Sequence, residues 1–367
     1  MARRQRRAES VSSARSRAHS LLLLQRLAYH SAAAKCDGGL MTVVDVHTHM
    51  LTLDWIALLQ QHGGVYDVKP TRAGQNSIWK DGAPFMTLMP GMWDYEERIA
   101  AMDRAKVDVA IVSLTCPNCF FGDRAVSLKA AKIVNDSMAE QARARPDRIG
   151  WLASIPWQYP DDAKAELARC VKAGAVGVMQ LANEAGAELT DETFAPVWAE
   201  IDRLGLPVLI HPGTPPGMKD MHLGEFGLVP PIGFMIDTTL AFSRMIFSGF
   251  LDKYPNVKLI AAHGGATLPY LAGRLDRCHE MIPACSSVIK DKPSEYLKRI
   301  WYDTVVYDQG ALEMCIAVAG SADRVLYGSD YPHNIGDMEG CLARVDALPA
   351  AQAKRVRGGA ARDLFGL

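Results

Sequence analysis

Residues 44–50 read Val-Asp-Val-His-Thr-His-Met: a short β-branched run that ends in two histidines one residue apart. Side chains on a strand repeat every two residues, so His47 and His49 face the same side. Asp45 shares their spacing and is expected on that side too, either orienting a ligand or sitting in a polar layer. Two neutral imidazoles at one strand end suit a divalent metal of the zinc, manganese or iron kind. A bare His-x-His also arises by chance, so its weight depends on what the other strand ends carry.

Outward from this segment, similar runs recur through the chain: 43–46, 108–114, 149–155, 175–181, 207–211, 257–263, 300–304 and 324–330. Stretches such as VAIVSL, VGVMQL and VKLIAA are apolar at all but one position, the pattern of parallel strands buried on both faces. Amphipathic helices are expected between them, at 95–106, at 161–173 before Gly174 and at 194–204 before Gly205. Eight alternating units define an α/β fold, a (β/α)8 TIM barrel, with every strand's C-terminal end on one rim. Residues 50–92 interrupt the rhythm with repeated Gly and Pro. There KDGAPFMTL reads as a hairpin with an Asp81–Gly82 turn, a small lid insertion after the first strand.

Three further runs end in an ionisable residue followed by turn residues: His211 before Pro-Gly, His263 before Gly-Gly, and Asp330 before Tyr-Pro. Any one of these alone reads as a rim polar group bonded to a loop. Five ionisable groups on four strand ends of one barrel converge on one rim, where barrels place active sites.

VDVHTHM, LIHPG, AAHGGATLPYLAGRLDR and LYGSDYPH resemble the signature segments of the amidohydrolase superfamily. Together with GMWDYEERIAAMDRAKVDVAIVS they are similar to the branch containing aminocarboxymuconate-semialdehyde decarboxylase and related aromatic-acid decarboxylases, over residues 42–367. The resemblance implies one divalent metal, usually zinc with manganese as an alternative, on His47, His49, His211 and Asp330. It implies His263 as the unliganded catalytic histidine, with Asp330 sharing in catalysis. It also implies a homodimer, with Arg274 contacting a substrate carboxylate and reaching into a neighbouring subunit's site. Binuclear members bridge two metals through a lysine at the end of the fourth strand; here that strand reads AVGVMQLANE and has none.

The match is incomplete. In the hairpin the family's arginine is replaced by Met86, and no nearby residue restores the charge, so aminocarboxymuconate semialdehyde itself is not the expected substrate. His333 stands where aminocarboxymuconate-semialdehyde decarboxylases carry phenylalanine; it either enters the pocket as a polar substrate contact or lies in a solvated loop. Cys116 and Cys119 form a C-x-x-C without a second cysteine pair, and are expected as reduced thiols near the rim beside Phe120 and Phe121. His222 and Glu225 are either pocket groups or a solvated loop, and His279 is expected to be structural.

The expected reaction is metal-dependent, non-oxidative decarboxylation of a small aromatic or muconate-type acid. Hydrolysis of a lactone, amide or related bond is the alternative, because the same constellation serves both. The resemblance implies a small-molecule carboxylic acid as the partner. The net charge of −1 offers no basic field for nucleic acid, and no apolar run reaches the ~20 residues of a membrane span. Eight scattered cysteines suit a cytoplasmic protein. Residues 1–40 are rich in Arg, Ser and Ala and poor in acids. They read as an over-extended start ahead of Met41, or as a targeting peptide, and are expected to be loosely ordered.

Overall fold

The apolar runs form eight parallel strands: β1 (Val44–His49), β2 (Val109–Ser113), β3 (Ile149–Ala153), β4 (Gly177–Leu181), β5 (Pro207–His211), β6 (Lys258–Ala261), β7 (Trp301–Asp303) and β8 (Val325–Leu326). The computed structural model describes residues 42–367, so the Arg/Ser-rich segment and Met41 lie outside the described residues. The strands pair in sequence order. The barrel closes through Val46 N–H donating to Tyr327 O at 3.0 Å and His49 N–H to Tyr331 O at 2.8 Å.

Two apolar layers hold the strands. Val44, Val46, Ile111, Leu152, Met179, Leu209, Ile260 and Leu326 fill the interior, and Ala360, Ala361, Leu364 and Phe365 pack against them. The alternate residues, among them Ala110, Val112, Trp151, Val178, Val208 and Ile210, pack under the helices. Burying each Val-, Leu- or Ile-sized side chain contributes about 1.5–3 kcal/mol. The helices follow the sequence closely. Tyr95–Ala105 is capped by Asp94, which accepts from the N–H groups of Glu96 and Glu97, and Ala195–Leu204 stops at Gly205 in the left-handed region. The insertion forms a three-stranded antiparallel sheet of Tyr66–Pro70, Asn76–Lys80 and Ala83–Thr87. Asp81 and Gly82 turn its second hairpin with φ of 49° and 81°, as a tight two-residue turn requires.

Two details differ from the sequence reading. β1 carries a bulge: Asp45 pairs with Ala110 but Thr48 with Val112, so β1 spends one extra residue. A bulge reverses side-chain parity. Val44 and Val46 face inward before it, and His47 and His49 face inward after it. Asp45 is therefore turned to the outer face with Ala110, not inward with the histidines. Secondly, β6 and β8 end before their terminal polar residues. His263 (φ 55°) and Asp330 (φ 58°) lie beyond the strands in the left-handed region. Non-glycine residues held there are strained by about 1–3 kcal/mol each, a cost concentrated at functional sites.

Candidate metal centre

The bulge delivers His47 and His49 to the mouth together, their Nε2 atoms 3.1 Å apart. Asp330 Oδ1 completes a triangle, 3.3 Å from His47 Nε2 and 3.2 Å from His49 Nε2. The His211 ring lies 5.1 Å from that of His47 and 4.9 Å from that of His49, centroid to centroid. His263 stands beside them, its ring 5.0 Å from His47 and its Nε2 3.7 Å from Asp330 Oδ2. All five side chains are buried.

Each of the three clustered histidines is turned by a bond at its far nitrogen. His47 Nδ1 donates to Asp303 Oδ2 at 2.5 Å, and His211 Nδ1 donates to Pro212 O at 2.8 Å. His49 Nδ1 lies 3.3 Å from Ser113 Oγ, whose proton goes to Thr48 O. With the proton on Nδ1 of each ring, all three Nε2 lone pairs face the cluster, the tautomer a metal ligand needs. Burial lowers the pKa of His49 to about 3 and that of His211 well below its usual value, so both rings stay neutral. Burial alone would raise the Asp330 carboxyl. The surrounding His333, His263, His47 and His49 outweigh it and hold Asp330 well below the usual carboxylate range.

These donors fit a divalent cation. Asp330 Oδ1 is buried and has no hydrogen-bond partner among the described residues, which costs free energy unless a positive charge faces it. Metal–ligand bonds of about 2.0–2.1 Å put neighbouring donors roughly 3.3–3.4 Å apart in a tetrahedron. Right angles shorten that to about 2.8–3.0 Å. The triangle falls between the two, which suits a site with a further open position. β4 offers only Met179 and Leu181 to the interior, so no fourth-strand group stands ready to bridge a second ion.

Around the cluster the structure places residues that the sequence reading left unassigned. Asp303 ends β7 and is fully buried; besides His47 it accepts from the N–H groups of His263, Gly264 and Val305, each at 2.9 Å. Arg98 is also fully buried. It donates to Thr48 Oγ1 at 2.6 Å and to His49 O, and it stacks 4.9 Å from the Tyr331 ring, clamping the end of β1. Asp45, on the outer face, accepts from Ser329 Oγ at 2.5 Å and from Ser329 N–H, fixing the residue before Asp330; burial is the main cause that pushes its pKa up to about 7. Gly328 is required nearby, since a Cβ there would stand 2.8 Å from His47 Cβ. The signal for Asp303 was present in the sequence as a carboxylate closing a strand, the same signature that marked Asp330.

Of the remaining sequence candidates, His333 enters the site: its ring is 5.0 Å from His49 and its Nε2 3.2 Å from Thr115 Oγ1. Arg274 does not join the cluster of its own chain. It is exposed on the helix Leu268–Met281. Cys116 and Cys119 are buried, free thiols whose pKa burial pushes up, to about 12 for Cys116. His222 and Glu225 are solvated, 76% and 67% exposed. His279 Nε2 bonds Ile289 O at 3.2 Å.

A barrel whose rim gathers three inward imidazoles and a carboxylate beside a fourth, unbonded histidine defines a metal-dependent barrel enzyme. The chain belongs to the amidohydrolase family, whose model matches residues 44–367. It is 30% identical to a 2-amino-3-carboxymuconate-6-semialdehyde decarboxylase of Dictyostelium discoideum, covering 88% of this chain and 91% of that one. It is 28% identical to a gamma-resorcylate decarboxylase of a Rhizobium species, covering 84% and 97%. Among solved structures, a 5-carboxyvanillate decarboxylase of Novosphingobium aromaticivorans, complexed with manganese and 4-hydroxy-3-methoxy-5-nitrobenzoic acid, matches with a TM-score of 0.77. That match has 25% identity and covers 90% of this chain and 98% of that one.

Proposed function

We propose that this protein is a metal-dependent, non-oxidative decarboxylase of small aromatic carboxylic acids, with His47, His49, His211 and Asp330 as the metal ligands. The observation that carries the reading is the triangle of His47 Nε2, His49 Nε2 and the otherwise unpartnered Asp330 Oδ1. A bound divalent cation supplies Lewis acidity, stabilising negative charge on a substrate oxygen as the carbon–carbon bond weakens. Zinc is the ion we assign, from the near-tetrahedral spacing, and manganese fits the same donors.

The chain's own residues supply the proton. Loss of carbon dioxide leaves an electron pair on the ring carbon, which must receive one proton, so that the acid becomes the parent arene and carbon dioxide. His263 Nε2 and Asp330 Oδ2 lie 3.7 Å apart, and this pair holds and delivers that proton. His263 Nδ1 has no hydrogen-bond partner among the described residues, so the ring is free to exchange protons with a ligand or water. His333 and Thr115 form a polar wall for a ring substituent.

The functional unit we infer is a cytoplasmic homodimer. The helix Leu268–Met281 buries only Leu268, while Tyr270, Met281, Ile282 and Val288 around it are exposed. Covering that apolar face with a second copy would place Arg274 at an interface and within reach of a neighbouring site. The antiparallel sheet at 66–87 serves as the lid of the catalytic domain.

The test is carbon dioxide release from a panel of hydroxylated benzoic acids by purified, metal-loaded protein. Release of one equivalent of gas per arene formed supports the reading. Water uptake without gas, from a lactone or amide panel, would replace it by hydrolysis.

A further inference from the structure

A cavity of about 400 Å³ lies between the loops that follow β2, β3 and β4. Its size falls within the roughly 300–1,000 Å³ of small-molecule sites, and none of the five clustered residues of the metal centre lines it. A tight hairpin places Glu184 there. Asn183–Glu184 pairs antiparallel with Ala187–Glu188. The two residues between them, Ala185 (φ 49°) and Gly186 (φ 92°), both take positive φ, as a two-residue turn requires. Neighbouring strand side chains point to opposite faces. Asn183 turns to Asp237, Nδ2 donating to Oδ1 at 2.8 Å, and Glu184 turns to the cavity. Glu184 is only 7% exposed, and its buried Oε2 has no hydrogen-bond partner among the described residues. A buried carboxyl in that condition is costly, and burial pushes its pKa up to about 9.

Gln158, which lines the same cavity, carries a second acceptor without a donor. Ser127 Oγ gives its proton to Cys119 O at 2.6 Å, so toward Gln158 it can only accept. The Gln158 amide therefore presents Nε2 to Ser127, at 2.9 Å. Its Oε1 is buried and unpartnered among the described residues. Asp191 adds an exposed carboxylate to the lining, and no Lys, Arg or His is part of it. Arg124 stands over the Tyr159 ring at 5.9 Å but is engaged by Asp162, Nε to Oδ2 at 2.5 Å and Nη2 to Oδ1 at 3.0 Å. Phe120, Phe121 and Tyr159 supply ring surface to the same wall. The cavity thus offers acceptors, negative charge and aromatic faces, and lacks donors and positive charge.

We propose that this cavity is a second binding site, separate from the metal centre, for a small organic ammonium ion whose N–H groups donate to Glu184 and Gln158 while the rings pack against its carbon skeleton. Charge-assisted N–H···O bonds satisfy both buried acceptors, and the bound cation holds the Glu184 carboxyl ionised. The aromatic faces are themselves attracted to positive charge. The site does not depend on which reaction the metal centre performs.

The test uses benzylammonium as the probe, benzyl alcohol as its uncharged counterpart and benzyltrimethylammonium as a cation without N–H donors. Binding of each to the metal-loaded protein is measured by calorimetry near neutral pH, with thermal unfolding to verify folding of the variants Glu184→Gln and Ala187→Leu. The wild type is expected to bind benzylammonium about tenfold or more tighter than either comparison compound. That preference should collapse in Glu184→Gln, and binding should fall in Ala187→Leu, which fills the cavity. Wild-type binding should survive removal of the metal by a chelator. Absence of the preference, benzylammonium binding undiminished in either folded variant, or binding that disappears with the metal would overturn the proposal.

Discussion

Replacing Asp303 by asparagine changes one atom and should loosen the whole centre. Asp303 receives four N–H groups, two on each oxygen: His47 Nδ1 and His263 N on Oδ2, Gly264 N and Val305 N on Oδ1. An asparagine amide keeps only one acceptor oxygen. Whichever way it turns, its NH2 faces two donors. If the oxygen stays with Gly264 and Val305, the charge-assisted bond from His47 is lost, about 1.5–3 kcal/mol, and the His263 N–H is left buried and unpaired, about 1–3 kcal/mol more. If the amide flips, the backbone turn that carries His263 is broken instead. The total is roughly 2.5–6 kcal/mol, a fall in Tm on the order of 10 °C, with metal affinity reduced by about 10–100-fold because His47 loses the partner that orients it. Thermal unfolding and a metal titration followed by calorimetry read both quantities. Asp303→Asn with unchanged Tm and a metal Kd within twofold of wild type would refute the reasoning.

Other perturbations separate the remaining roles. His263→Ala should keep its metal, measured by elemental analysis, and lose about 10²–10⁴-fold in turnover; full activity would remove His263 from the proton pair. Arg98→Met should lower stability by about 2–4 kcal/mol through the lost bonds to Thr48 and His49, and weaken metal binding with it, both read on the purified variant. Glu184 is buried beside Phe120 and Phe121, and its pKa is raised by burial to about 9. The unfolded chain ionises this carboxyl near its ordinary value of 4.5 while the folded one does not, so its contribution is fully present below that pH and is lost as pH rises toward 9. The slope between those limits is about 1.4 kcal/mol per pH unit. Glu184→Gln should therefore gain on wild type progressively from pH 5 to 8.5 in thermal melts; parallel curves would contradict the assignment.

The barrel was legible because its strands are apolar on both faces and end in polar residues, a contrast that a single sequence displays. His47, His49, His211, His263 and Asp330 could be singled out for the same reason. Asp45 was misplaced because a bulge is invisible to a strict two-residue period: the extra residue in β1 reversed its side. His333 could not be decided, since its position depends on how the Tyr331–Pro332 segment folds back across β1. Arg274 is exposed on its helix, so the role proposed for it depends on the proposed second copy of the chain.

The central claim, that one divalent ion held by His47, His49, His211 and Asp330 makes this chain a decarboxylase, is tested most directly by one titration. Chelated protein is reconstituted stepwise with zinc or manganese while bound metal and carbon dioxide release are followed together. The account predicts that activity rises in proportion to metal and saturates at one equivalent per chain, with neither binding nor gas evolution in Asp330→Ala. Saturation at two equivalents, or gas release that is indifferent to chelation, would contradict it.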